Sequence, residues 1–257
     1  MGFFYFDESI QEKGEFIVGA FVFSQTDLTP AVFRALAEAG LRPGIDEFKS
    51  GALMVAQPKQ ASVREALRGL FSDTSIGAVV LPISERKNLG TEAIAGLTKI
   101  IHANSLGKRP HRVYIDEGIV VERVSLTTLR ESVATPCEIL VNQDSRIIGG
   151  LQLADLAAHS MGVMLLEHQG HIKKMVKAGE NSGYNLDLDI ELGFKLWASL
   201  RYAFFKAPQP IPSAEDSLGD AIYDVEKYGL YVAETCDEEL RKAAIERFGK
   251  CYLGCIH

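Results

Sequence analysis

The sequence predicts a mixed-sheet α/β fold, and three observations carry that prediction. Two aromatic and β-branched runs open the chain, residues 2–9 and 15–23, with only a short polar turn between them. They read as an antiparallel hairpin. From Ile76 onward strand and helix patterns alternate, which calls for parallel strands covered by helices. The stretch 151–166 is apolar almost all the way round, the mark of a helix buried in the interior.

The first strand, residues 2–9, ends in acid at Asp7 and Glu8. The second covers 15–23, after a polar turn at 11–14. A helix over 29–39 follows, with Pro30 in its first turn, where the missing N–H has no bond to lose. Gly40 and Pro43-Gly44 end it. A short acidic and basic segment, Asp46 to Gly51, leads to a helix over 59–71 with Val63, Leu67 and Leu70 on one face. Next come a strand at 76–83, an amphipathic helix at 91–106 capped by Thr91, and a strand at 111–116 that again ends in acid. A helix over 121–133 and a short strand at 138–142 feed the central helix. The pattern changes after Gln169. A polar stretch to Asp189 precedes an aromatic-rich helix over 190–206, a stiff proline linker at 208–212 and a last helix over 237–248. This divides the chain into an α/β domain, residues 1–169, and a mostly helical C-terminal extension, residues 170–257.

The composition, 47% hydrophobic and 24% charged, is that of an ordinary globular protein. No run of 18 apolar residues marks a membrane span, and no secretory signal is visible. Four sparse cysteines fit a reduced cytoplasm. Cys251, Cys255 and His257 have half the spacing of a zinc site and read as loose tail residues instead. A net charge of −7 argues against sequence-independent binding of nucleic acid by the whole surface, although a cation held on clustered carboxylates reverses the sign locally.

The chemistry concentrates in a few acids. Tyr5-Phe6-Asp7-Glu8 is echoed by Tyr114-Ile115-Asp116-Glu117, so in each strand Tyr and Asp share a sheet face. Both aspartates lie at C-terminal strand ends, where open α/β sheets place ligand groups. Either one alone reads equally as a turn former. Gln152, Asp155 and His159 stand at i, i+3 and i+7 on the central helix and so form one stripe. A carboxylate there needs a cation, hydrogen bonds or a polar cleft; the bland alternative is a bond to neighbouring backbone. Oxygen ligands converging at one sheet end suit Mg2+ or Mn2+, two of which can drive phosphodiester hydrolysis.

These residues resemble a known family. Phe6-Asp7-Glu8-Ser9, Glu47-Phe48-Lys49, Tyr114-Ile115-Asp116-Glu117-Gly118, and Asp144-Ser145-Arg146 followed by Gly150-Leu151-Gln152-Leu153-Ala154-Asp155-Leu156 look like the domain-of-unknown-function 3800 family. That family is grouped with the ribonuclease H-like superfamily, and the likeness covers about residues 3–167. Ile10 and Ala20 stand where many members have glycine. The resemblance implies a ribonuclease H-like mixed sheet flanked by helices and a divalent-metal-dependent nuclease. Its catalytic acids would be Asp7, Glu47, Asp116 and Asp155. Asp7, Asp116 and Asp155 would hold metal, with Asp144 as an alternative ligand, and Lys49 would contact a phosphate. Glu8, Gln152 and His159 would stand behind the ligands. The partners implied are a DNA or RNA substrate and a protein partner or second copy, with no membrane. A catalytically idle interaction or regulatory module of the same fold is the competing expectation.

Overall fold

The computed structural model describes residues 1–120, 136–179, 184–212 and 221–254. Strands β1 (Gly2–Gln11) and β2 (Phe16–Ser24) form the expected hairpin across a single 3-10 turn, Glu12–Gly14. Helices α1 (Thr29–Glu38) and α2 (Pro58–Leu70) follow, then β3 (Ser75–Pro82), α3 (Leu89–Ala103), β4 (His111–Asp116), β5 (Cys137–Gln143) and the long α4 (Gly150–His168). Beyond it come the small hairpin of β6 (Met175–Lys177) and β7 (Asp189–Glu191), then α5 (Leu192–Leu200) and β8 (Ile222–Asp224). The described chain closes with β9 (Leu230–Val232), α6 (Glu238–Phe248) and β10 (Lys250–Tyr252), which pairs with β8.

The main sheet has the order β5-β4-β1-β2-β3-β9. β2 is antiparallel to both its neighbours, and the other adjacent pairs are parallel. This is the mixed α/β sheet flanked by helices that the sequence leads to. The expected helix at 121–133 lies outside the described residues.

α4 explains itself by burial. Leu151, Leu153, Ala154, Leu156, Ala157, Ala158, Met161 and Leu165 are all shielded from solvent, so the helix is held by packing on several sides. Two of its close approaches to β1 are made at glycines. A Cβ on Gly150 would stand 2.3 Å from the Tyr5 ring, and one on Gly162 would stand 2.5 Å from the Gln11 side chain. The helix therefore runs along β1, in the same direction. The six strand residues from Tyr5 to Gln11 span roughly 20 Å and the twelve helix residues from Gly150 to Gly162 roughly 18 Å, so the two advance together. α4 thus lies lengthwise on the sheet. α3 covers the opposite face, where Ile100 fills the space above Gly77 and Val79 lies against Gly96.

Two expected helix limits shift, each for a local reason. α3 begins at Leu89, after a 3-10 turn at Ile83–Asn88, so Thr91 sits inside the first turn and does not cap it. The aromatic-rich helix stops at Leu200. Beyond it the Ala203 carbonyl and Phe205 N–H bond the N–H and carbonyl of Ile76, which draws the chain onto the sheet as an isolated bridge. In the same run Arg201 is buried against the Trp197 and Tyr202 rings, its carbon 5.1 and 4.6 Å from their centroids, so the aromatics and cations pack on one another. The segment after Gln169 also gives β9 to the main sheet, bonded to β3 through Ala78–Val80. Asp237 accepts the Leu240 N–H at 2.7 Å and caps α6.

Candidate active site

Two strands and one helix deliver the acids. β1 and β4 are parallel neighbours whose register sets Tyr5 beside Tyr114 and Phe6 beside Ile115, so Asp7, inside β1, and Asp116, the last residue of β4, stand side by side on one face. The first strand was expected to end at its acid but runs on to Gln11, held by its pairing with β2. The two tyrosine rings stack 5.5 Å apart beneath them. Tyr5 is pinned further: its hydroxyl donates to Asp27 at 2.8 Å and accepts the Leu28 N–H at 3.0 Å. Each aspartate also accepts the N–H of the glutamate that follows, Glu8 at 2.7 Å for Asp7 and Glu117 for Asp116. Gly118, at φ +81°, turns the chain away immediately after. The sequence echo is thus a geometric repeat.

The electrostatics follow from crowding. Burial, and then the fields of Asp116, Asp155 and Glu8, hold the Asp7 carboxyl well above the usual range. Asp116 is pushed up to about 7, by burial first and with Glu8 adding to it, while Lys49 opposes the shift. Burial raises Glu8 as well, with Asp155 adding to the effect and Asp7 and Arg86 opposing it. Asp155 lies on α4 close enough for its charge to be felt at Asp7, Glu8, Lys49 and His159. Burial lowers His159, with Arg64 adding to the effect and Asp155 opposing it.

Asp155 and Gln152 have definite partners. The Ser50 N–H donates to Asp155 at 2.9 Å, and the Ser50 hydroxyl bonds the other carboxylate oxygen. The fully buried Gln152 accepts the Phe48 N–H at 2.7 Å and donates to the Ser145 carbonyl at 2.8 Å. Glu47 accepts the Ser145 hydroxyl at 2.5 Å and pairs with the Lys49 ammonium at 3.2 Å. Burial works to lower Lys49, but Glu47, Asp155 and Asp116 outweigh it and raise it, which sets its ammonium among the acids. Asp144 instead forms a two-pronged pair with Arg146 at 2.7 to 3.1 Å, which holds its carboxyl below the usual range. The structure thus gathers Asp7, Glu8, Asp116, Asp155, Lys49 and Glu47 and ties Asp144 to its own neighbour.

Sequence reasoning missed Ser50, Gln60, Arg64 and Ser145. Gln60 accepts the Lys49 N–H at 3.1 Å and donates to the Glu47 carbonyl at 2.8 Å, and Arg64 donates to the Ser50 carbonyl at 2.6 Å. Gln60 and Arg64 are four apart on α2, so a shared polar face was the one available signal.

The donor set suits a hard divalent cation: buried carboxyls, close enough to repel one another, whose ionisation is disfavoured by burial and by their acidic neighbours. As they stand, no three His, Cys, Asp or Glu side chains among the described residues are arranged to close around an ion. Of the cysteines, Cys137, Cys236 and Cys251 are free thiols, while Cys255 and His257 lie outside the described residues. No helix among the described residues is long and apolar enough to cross a membrane.

No family model matches the chain, and no curated protein does. Among solved structures the chain is similar to one in the PCNA:RNase HII complex from Archaeoglobus fulgidus. Identity is 14% and the TM-score 0.38, over 66% of this chain and 77% of that one. A likeness that distant assigns no reaction.

Proposed function

We propose that this chain is a divalent-metal-dependent nuclease of the ribonuclease H-like kind, as its resemblance to the domain-of-unknown-function 3800 family implies. One observation carries the reading: Asp7 and Asp116 emerge side by side from parallel strands and are both driven above the usual carboxylate range by burial and neighbouring acids. A fold retains such repulsion at a cost of stability, and a bound cation relieves it. Asp7 and Asp116 would hold Mg2+ or Mn2+, with Asp155 and Glu47 beside them. Bound there, the ion would supply Lewis acidity and neutralise charge on a phosphodiester. The chain's own residues have separate work. Lys49 meets a phosphate oxygen, and Glu47 holds the Lys49 ammonium in place. With a net charge of −7, the surface as a whole gives bare DNA or RNA little general attraction. A protein partner or second copy is therefore part of the proposal.

The test compares wild type with Asp7→Asn and Asp116→Asn, at equal folded concentration, on labelled DNA and RNA oligonucleotides with Mg2+ or Mn2+. Loss of a group behind a metal ligand already costs about 10- to 100-fold, so each ligand change should cost at least ~100-fold. Undiminished cleavage by both variants overturns the proposal. The idle module is the second reading, and the absence of a ready three-ligand arrangement among the described residues favours it. Under that reading Mn2+ leaves the melting temperature of the wild type unmoved.

A further inference from the structure

The segment Glu47-Phe48-Lys49-Ser50 has no regular secondary structure, yet side chains hold its backbone at five points. Gln152 accepts from Phe48 N–H, Gln60 from Lys49 N–H and Asp155 from Ser50 N–H. Gln60 donates to the Glu47 carbonyl and Arg64 to the Ser50 carbonyl. The four side chains come from α2 and α4, both anchored in the core, and Phe48 is sunk between them with 1% of its surface exposed. Lys49 is the exception. Its backbone is fixed while its side chain stays exposed and reaches Glu47 at 3.2 Å. A loop so bound loses its conformational freedom at folding and not at substrate binding.

We infer that Asp155 and Gln152 are positioning residues that act through this loop, latching Phe48 and Ser50 so that the Lys49 ammonium stands over the acid pair. Both carboxylate oxygens of Asp155 are engaged by Ser50, one by its N–H and one by its hydroxyl. Gln152, one helical turn earlier on the same stripe, spends its amide oxygen on the same loop and its nitrogen on the Ser145 carbonyl. Ser145 in turn donates to Glu47, the partner of Lys49, so a second strut reaches the same ammonium from the other side. The polar stripe of α4 thus serves the site by fixing a cation. This deepens the nuclease reading and departs from it at one residue, because Asp155 becomes a holder of the loop and not a holder of metal.

The experiment uses the full chain and the variants Gln152→Ala, Asp155→Asn, Ser50→Ala and the double Asp155→Asn/Ser50→Ala. Three readouts are taken: amide exchange at Phe48 and Ser50, acylation of Lys49 by an amine-reactive reagent, and Mn2+ binding by titration. Gln152→Ala keeps every charge, so a change in Lys49 reactivity there reports position alone. The expected result is faster exchange at both amides and altered Lys49 acylation in Gln152→Ala and Asp155→Asn. Mn2+ affinity in both should stay within about threefold of wild type. The double variant should be no worse than the Asp155→Asn single, because the hydroxyl that Ser50→Ala removes is the one that bonds Asp155. Where cleavage is measurable, KM for the oligonucleotide should rise about tenfold with kcat changed far less. A general loss of fold would instead shift the melting temperature and lower activity with KM unmoved.

Loss of Mn2+ binding in Asp155→Asn but not in Ser50→Ala overturns the inference and makes Asp155 a ligand. Unchanged exchange at Phe48 and Ser50 also overturns it. If the wild type itself binds no Mn2+, the metal reading fails alone, since amide exchange and Lys49 acylation still decide the latch.

Discussion

Replacing the Asp116 carboxyl by an amide tests the charge balance of the site directly. Its folded value of about 7 lies above the unfolded carboxylate value, so the fold disfavours ionisation. The sign follows: stability is whole below about pH 4 and is lost as pH rises from there towards 7, after which the loss is constant. Asp7, raised by burial and by its acidic neighbours, loses stability in the same direction. Asp116→Asn removes one share of that loss. Its melting temperature should match wild type near pH 4 and exceed it by a widening margin up to pH 7, measured without divalent ions. Saturating Mn2+ should raise the wild type at pH 7 and leave Asp116→Asn nearly where it was. A second change, Tyr5→Phe, removes the hydroxyl that joins Asp27 to the Leu28 N–H at the foot of the site. It leaves a buried N–H unmet and should cost about 1–3 kcal/mol in urea unfolding.

At the scale of elements, the contact of α4 with β1 depends on a missing side chain. Gly150→Ala would set a methyl 2.3 to 2.5 Å from the Tyr5 ring, which is itself stacked on Tyr114 and cannot swing aside. The expected cost is about 1–3 kcal/mol in urea unfolding, the usual penalty for overpacking. Gly69→Ala on α2, where the added carbon meets nothing within 4 Å, is the control and should gain up to ~1 kcal/mol. The strands and α4 were legible in the sequence because periodicity is local: alternation marks a strand, and an all-apolar run marks a buried helix. Asp7 and Asp116 were legible for the same reason, as acids in matching frames, although only Asp116 ends its strand and β1 runs on to Gln11. The latch was not. Phe48 and Gln152 stand 104 residues apart, Ser50 and Asp155 105, and no local pattern pairs a loop amide with a distant glutamine. Nor does a local pattern show that α4 runs along β1, since that follows from where glycines meet large side chains.

For the molecule as a whole, the segment beyond Gln169 is part of the main structure. β9 pairs with β3, and Lys99 on α3 donates to the carbonyls of Glu226 and Leu230 at 2.9 and 2.7 Å. Asn104 donates to the Tyr228 carbonyl at 2.8 Å, and the Gly193 N–H to Glu167 on α4 at 2.6 Å. The full chain should unfold in one cooperative transition by circular dichroism and tryptophan fluorescence. A fragment ending at Gln169 would bare the β3 edge and the side of α4 that α5 and α6 cover, and should aggregate or stay unfolded in size-exclusion chromatography. The sequence marked a change of character after Gln169, from apolar to polar. It did not mark β9, since three residues are too few to show alternation.

The lengthwise seat of α4 on β1 makes the pair a gauge with two scales, about two helical residues to each strand residue. Asp155 comes level with Asp7 only while both scales are counted from the same zero, Gly150 over Tyr5. One residue inserted between Tyr5 and Asp7 would turn the carboxylate through the sheet to the α3 side. One inserted between Gly150 and Asp155 would swing Asp155 by about 100° around its axis. Lineages descended from this chain can therefore vary the loops in length, while the five residues after Gly150 and the two after Tyr5 admit substitution but neither insertion nor loss.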